Sequence, residues 1–311
     1  MSWYDYSNLT IPIKKDTNIK AKYSITSDIL SYQLCSRQYG FFAVRGYQPA
    51  HVVQFWFGTV LHQVLDKLHL HYQGLLDEKT KFQIPTDQDV ITYFNDVDDS
   101  LKARGIKAVN ANLKKTAINV LTLFNKIEGP KLYPHVLDTE CDLQSDQGNF
   151  ILHGVVDLLK EVSSAKYSKE FDKVEIWDYK GTKFPDLDTK YGEAKLNRYR
   201  YQMLVYAELY KLKNGRYPLK GILYFMNELQ GRKVPDETPP EATYVIEFRD
   251  KHNRESIDTA LCDFAETVSE IECKKEYDTW NPPKEMSDKE TCDICDLRWN
   301  CSAVKYPMRY P

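Results

Sequence analysis

The chain has 311 residues, 42% of them hydrophobic and 28% charged, with a formal net charge of −3. That balance is ordinary for a globular enzyme and excludes wholesale disorder. It also means that a nucleic-acid partner would have to be met by a local basic surface, because bulk charge supplies none.

The opening Met1-Ser-Trp-Tyr-Asp-Tyr lacks the charged-then-apolar pattern of a signal peptide. The most apolar run, Val52 to Leu65, is interrupted by Gln54, Gly58, Thr59 and His62 and is too short to span a bilayer. The sequence therefore predicts a cytoplasmic protein with no membrane partner. Ser27 or Thr26 caps a first helix expected to run to about Phe42, and a second spans about Phe57 to Tyr72. Thr86-Asp-Gln-Asp opens a third helix that ends near Gly105, and a fourth runs from about Lys107 to Ile127. Residues 135–145, 149–160 and 173–180 read as three successive strands. A helix from about Gly192 to Leu212 stops at Asn214-Gly215, and strands follow at Gly221-Ile-Leu-Tyr-Phe-Met and Ala242-Thr-Tyr-Val-Ile-Glu-Phe. A helix from about Glu255 to Lys274 leads into an irregular tail bearing Pro and Cys.

The order helix, three strands, helix, strand indicates an α/β core with a mixed sheet. We expect a single unit over 1–311: N-terminal helices at 24–74, a helical insertion at 75–130, an α/β core at 131–250, and a C-terminal helix and tail at 251–311.

The chemistry concentrates on two of these strands, in Gly154-Val-Val-Asp157 and Trp177-Asp178-Tyr179-Lys180. Residues two apart on a strand share a face, so Asp178 and Lys180 project together while Tyr179 turns away. Two converging carboxylates repel unless a cation sits between them, and a divalent metal is the commonest such cation. An ammonium beside that metal can orient or deprotonate a water or neutralise charge on a phosphate. The plain alternative is an Asp–Lys pair on a solvated strand face. His62, on a helix with Gly58 and Asp66 on its side, offers a neutral imidazole as a third ligand or is simply a core histidine. Gln202 and Tyr206 stand four apart on one helix face, where they are either surface or a grip on phosphate and base. Lys183, Lys195, Arg198 and Arg200 surround that region and form the local basic surface.

Seven cysteines without a secretory signal argue for thiols or metal ligation rather than disulfides. Cys292-Asp-Ile-Cys295 followed by Cys301 gives C-x2-C-x5-C, which brings three thiolates together. A fourth ligand has to come from afar, and Cys35 is our choice. Cys141, Cys262 and Cys273 read better as small buried hydrophobes. Zinc and an iron–sulfur cluster both suit four cysteines, and the one-plus-three arrangement favours [4Fe–4S]. Either would close a loop joining the two ends of the chain, worth on the order of 5 kcal/mol by loop entropy.

Taken in order, Gly58-x3-His62, Gly154-x2-Asp157, Asp178-x-Lys180 and Gln202-x3-Tyr206 resemble the RecB-like branch of the PD-(D/E)xK nucleases. Cys35 and the terminal C-x2-C-x5-C resemble its iron–sulfur subgroup, which includes CRISPR-adaptation exonucleases and the AddB nuclease domain. The resemblance covers about residues 24 to 305 and implies a restriction-endonuclease-like core with a C-terminal iron–sulfur region. It implies that His62, Asp157, Asp178 and the Tyr179 carbonyl hold Mg²⁺ or Mn²⁺, with Asp157, Asp178 and Lys180 catalytic. It further implies that Gln202 and Tyr206, with Arg198 and Arg200 nearby, hold DNA as a single strand or strand end, and that the four cysteines hold [4Fe–4S]. Glu140 sits where some relatives place an extra acid, and the sequence leaves its direction open. No G-x4-G-K-[ST] is present, so strand separation would fall to a helicase or CRISPR-adaptation partner. The expectation is a deoxyribonuclease acting as an exonuclease on single-stranded DNA or strand ends; the alternative is a non-catalytic nucleic-acid-binding or scaffold subunit of such a complex.

Overall fold

A computed structural model describes residues 20–47, 53–166, 168–232, 237–284, 287, 289–293 and 295–303. The N-terminal segment beginning Met1-Ser-Trp lies outside the described residues. Among the described residues six strands form one mixed sheet: β1 (Ala21–Ser24), β2 (Val136–Asp146), β3 (Phe150–Glu161), β4 (Val174–Lys180), β5 (Lys220–Phe225) and β6 (Thr243–Glu247). Five long helices accompany it: α1 (Val53–Gln73), α2 (Asp87–Ala103), α3 (Ala111–Ile127), α4 (Lys190–Asn214) and α5 (Lys251–Tyr277).

The local chemistry explains most boundaries. Thr86 and Asp89 form a reciprocal capping box that starts α2. Asn110 caps α3 and Thr189 caps α4 through side-chain oxygens. Gly215, at φ +84°, ends α4 in the left-handed conformation that lacks a steric penalty only for glycine. Two expectations fail. The four-residue β1 was not anticipated; it pairs parallel with β3, and so short a parallel partner leaves no pattern in the sequence. The first helix is not continuous. It breaks into short turns, Ile25–Leu30, Ser31–Leu34, Ser36–Tyr39 and Gly40–Val44, because Cys35 is extended at φ −159°.

Helices cover both faces of the sheet. On one side α4 and α5 pack Met203, Val205, Phe264 and Ile271 against Val156, Ile176, Leu223 and Phe225. On the other α1, α2 and α3 bring Leu61, Leu65, Phe94 and Phe124 against Leu158, Trp177, Tyr179 and Tyr224. Three layers around a sheet buried on both faces explain why β4 is an unbroken buried run rather than an alternating one. Buried polar anchors fasten the insertion: Asp98 accepts from Trp56 Nε1 at 3.0 Å and pairs with Lys102 at 2.8 Å and with Lys114.

The pairing around β3 creates the cleft. β2 occupies one edge of β3 from Ile151 to Lys160. The other edge is shared: β1 pairs with Phe150–His153 and β4 with Leu158–Glu161. Between them, residues 154–157 face a fork in the sheet. Side-chain alternation also breaks there. Val156 and Cys141 belong to the α4 side, while Leu158 and Thr139 turn to the α1 side, Thr139 donating to Asp66 on α1 at 2.8 Å. In a regular strand residues two apart share a face. Glu140, at φ +48°, supplies the break on β2 opposite Asp157, a costly conformation for a residue with a side chain.

Candidate active site

The fork opens into a cleft of about 350 Å³ lined by Thr26, His62, Glu140, Asp157, Asp178, Lys180, Tyr199, Gln202 and Tyr206, among others. Besides β2, which carries Glu140, three elements deliver the charged groups. α1 brings His62, whose Nδ1 lies 3.2 Å from Asp157 Oδ1. β3 brings Asp157, whose Oδ2 accepts the Tyr179 backbone N–H at 2.6 Å where β4 leaves the ladder. β4 brings Asp178 and Lys180, 2.6 Å apart between Oδ2 and Nζ.

α4 closes the arrangement from the opposite layer. Gln202 donates to Asp178 Oδ1 at 2.7 Å and accepts from Lys180 Nζ at 2.8 Å. Its amide also lies 2.9 Å from the Tyr206 hydroxyl. The amide thus spans the carboxylate and the ammonium and fixes both. Tyr206 in turn packs against Gly154, where a Cβ would come within 2.5 Å of its ring. Tyr179 turns to the other face, as alternation requires. Its ring stacks near His69 and its hydroxyl lies 3.1 Å from His69 Nε2. Burial drives the His69 pKa down to about 3, so this imidazole is neutral.

The electrostatics are those of a crowded acidic site. Burial opposes a charged imidazole at His62, yet the Asp157 carboxylate outweighs it and lifts the pKa to about 9. Burial also opposes ionisation of Asp157, but His62 and the Tyr179 N–H hold its pKa low. At Asp178 burial wins; Lys180 lowers the pKa and Asp157 raises it, and the net direction is up. Glu140 is pushed up to about 7 by burial and by Asp157. Two protein cations, Lys180 and a protonated His62, face three carboxylates, and a metal ion would displace the proton from His62. The side-chain ligand atoms of His62, Glu140 and Asp157 lie within 4.8 Å of one another. Hard oxygen donors and one imidazole in that space suit Mg²⁺ or Mn²⁺.

The structure thus brings His62, Asp157, Asp178, Lys180, Gln202 and Tyr206 to one cleft, and turns Glu140 into it. Arg198 and Arg200 do not line it; Arg200 bonds Asn253 on α5 at 3.2 Å. Thr26 and Tyr199 were missed. Tyr199 precedes Gln202 by three residues and holds its ring 4.4 Å from Lys180 Nζ, so helical spacing was a usable signal. Thr26 had none, because the arm that carries it is placed by tertiary contacts.

The cysteines form a second locus. Cys35, Cys292, Cys295 and Cys301 line one cavity together with Arg37, Gln38 and Arg298. Burial raises the Cys35 pKa, while backbone N–H groups of Gln38 and Arg37 bond the sulfur and oppose that rise. Cys295 is likewise raised by burial, with opposing bonds from the Leu297 N–H and the Gln38 side chain. Donors aimed at sulfur are what ligated thiolates require. Among the described residues no three of these sulfurs come within 4.8 Å of one another. Sulfurs around a single zinc stand at roughly 3.8 Å, given a Zn–S bond of about 2.3 Å. Cys141 is buried as expected, but Cys262 and Cys273 are exposed. The buried stripe of α5 runs through Ile257, Ala260, Phe264, Val268 and Ile271, and both cysteines fall off it.

The model of the PD-(D/E)XK nuclease superfamily matches residues 26–302. The chain belongs to that superfamily. Its nucleases are metal-dependent phosphodiester hydrolases, and the cleft carries the acidic pair and lysine that the superfamily name denotes. No protein of curated function matches the sequence. Among solved structures, the chain is similar to a Eubacterium rectale protein provisionally described as an exonuclease. The identity is 12%, the TM-score 0.49, and the match covers 99% of this chain and 97% of the other. It is also similar to SSO0001, at 14% identity and a TM-score of 0.33, over 81% of this chain and 96% of that one. No described helix is long and apolar enough to cross a membrane.

Proposed function

We propose that this nuclease is a deoxyribonuclease acting on single strands or strand ends, with His62, Glu140, Asp157 and Asp178 as the metal-holding set. The Tyr179 carbonyl is the further ligand that the family resemblance implies. The observation that carries the reading is the convergence of His62, Asp157, Asp178 and Lys180 at the sheet fork, with Gln202 spanning Asp178 and Lys180. When bound there, a divalent cation supplies Lewis acidity and an activated water. The protein's own groups do the rest. Gln202 and Asp178 hold the Lys180 ammonium beside the acids, positioned to orient a water and to neutralise charge on the attacked phosphate. The Tyr199 ring holds the same ammonium at 4.4 Å. Tyr206 braces Gln202 from behind. In this reading Gln202 acts first on the catalytic groups and, with Tyr206, grips substrate only secondarily.

We further assign [4Fe–4S] to Cys35, Cys292, Cys295 and Cys301. Their shared cavity and the N–H groups aimed at the Cys35 and Cys295 sulfurs support it. The exonuclease preference, and a helicase or CRISPR-adaptation partner, rest on the family resemblance alone. The test is degradation of labelled single-stranded and duplex DNA with Mn²⁺ or with chelator. Asp178→Ala and Lys180→Ala should abolish cutting while the visible absorption of the cluster persists. Full cutting by both variants would sink the site assignment. Metal-independent retention of DNA without cutting by the parent protein would favour a binding subunit instead.

A further inference from the structure

Glu140 reaches the cleft only because β2 reverses its alternation, and the groups that force the reversal lie outside the cleft. α1 presents His62, Asp66 and His69 along one face, four and then three residues apart. Each meets a different strand. His62 pairs with Asp157 on β3, and His69 contacts the Tyr179 hydroxyl on β4. Asp66 Oδ1 accepts the Thr139 hydroxyl of β2 at 2.8 Å. The metal-holding set includes neither Asp66 nor Thr139.

Thr139 and Cys141 flank Glu140 and are anchored in opposite layers. Thr139 is tied to α1, while Cys141 is buried with Val156 and Met203 on the α4 side. A regular strand would place both on one face. The chain satisfies both anchors by turning through φ +48° at Glu140. The register, Thr139 beside Leu158 and Cys141 beside Val156, sets that turn across from Asp157. Such a conformation is disfavoured for a residue with a Cβ and persists only where the surroundings impose it. Among the described residues β2 pairs with β3 alone, so no second strand helps to enforce the turn. A hydroxyl donating to a carboxylate is a stronger tether than a bond between neutral groups, and it acts on the residue next to the turn.

We propose that Asp66 and Thr139 are positioning residues whose hydrogen bond turns Glu140 toward the metal-holding set. The proposal rests on the reading of Glu140 as a metal ligand. The test is calorimetric titration of Mn²⁺ into DNA-free protein, so no cleavage enters the readout. Thr139→Val keeps the branched shape and every charge but removes the donor, and it should weaken Mn²⁺ binding by about ten-fold. Thr139→Ser keeps the hydroxyl and should stay within about two-fold of the parent. Beside Glu140→Gln, the valine change should cost less than about two-fold, because residues acting through one another are not additive. Melting temperatures in chelator check that each variant folds, and Thr139→Ala serves as the donor-free variant should valine unfold the protein. Parental affinity without the donor, or equal losses in the valine and serine proteins, overturns the proposal. So does a loss that persists in full beside Glu140→Gln, which would trace the effect to His62 or to the fold. Parental affinity in Glu140→Gln alone would instead remove Glu140 from the ligands and take the proposal with it, so the two failures are distinct.

Discussion

Gly154 offers the sharpest test of how the cleft is held together. A Cβ at this position would lie 2.5 Å from Tyr206 Cε1, 2.9 Å from Cδ1 and 3.2 Å from Leu209 Cδ1. Ordinary contact begins near 3.4 Å, so Gly154→Ala obliges the Tyr206 ring to retreat by about 0.9 Å. The ring is fully packed, so overpacking should cost about 1–3 kcal/mol. For a domain this size that lowers the melting temperature by several degrees. The same retreat pulls on the 2.9 Å contact between Tyr206 and the Gln202 amide. Gln202 then loses its hold on Asp178 and Lys180, and a displacement near 1 Å in a catalytic group can cost about a hundred-fold in rate. The assay is Mn²⁺-dependent cleavage alongside thermal melting. Adding Tyr206→Leu should relieve the clash and recover the melting temperature without recovering the rate. A Gly154→Ala protein with parental rate and parental melting temperature would refute the bracing role. So would a double variant that regains both.

Other consequences follow from single residues. Glu140 holds φ +48°, so Glu140→Gly should release about 1 kcal/mol of backbone strain and leave the melting temperature at or above the parent's. The same change should weaken Mn²⁺ binding by at least about ten-fold, and unchanged affinity in titration calorimetry would exclude Glu140 as a ligand. Cys35→Ser should bleach the visible absorption and destabilise the protein; a variant that keeps both iron and stability removes Cys35 from the set. At Asp98, burial opposes ionisation but bonds from Lys102, Lys114 and Trp56 hold the pKa below its ordinary value. A depressed carboxylate adds stability above its unfolded pKa of about 3.9 and loses it as pH falls through the folded value. Asp98→Asn should therefore narrow the gap in melting temperature between pH 7 and acid conditions, and an undiminished gap would place the acid sensitivity elsewhere.

Much of this was legible in the chain before folding. The places of β2 to β6 along the chain, the opposed directions of Asp178–Lys180 and Tyr179, the helix start at Thr86 and the glycine stop after Asn214 follow from period-two alternation and local hydrogen bonding. These are properties of a few adjacent residues, and the sequence states them directly. The family resemblance gathered the site residues into one list, but their assembly is non-local. The sheet fork needs β1 and β4 to divide one edge of β3, and four residues of parallel pairing leave no periodic trace. The turn of Glu140 into the cleft depends on a left-handed φ that glutamate seldom adopts, so only the surrounding packing could impose it. The exposure of Cys262 and Cys273 was decided by which stripe of α5 meets the core. Likewise the roles within the cleft, with Gln202 spanning acid and ammonium and Tyr206 wedged on Gly154, exist only once α4 lies across the fork. Sequence fixes what each segment can present. Close packing between segments far apart in the chain decides which of those groups meet.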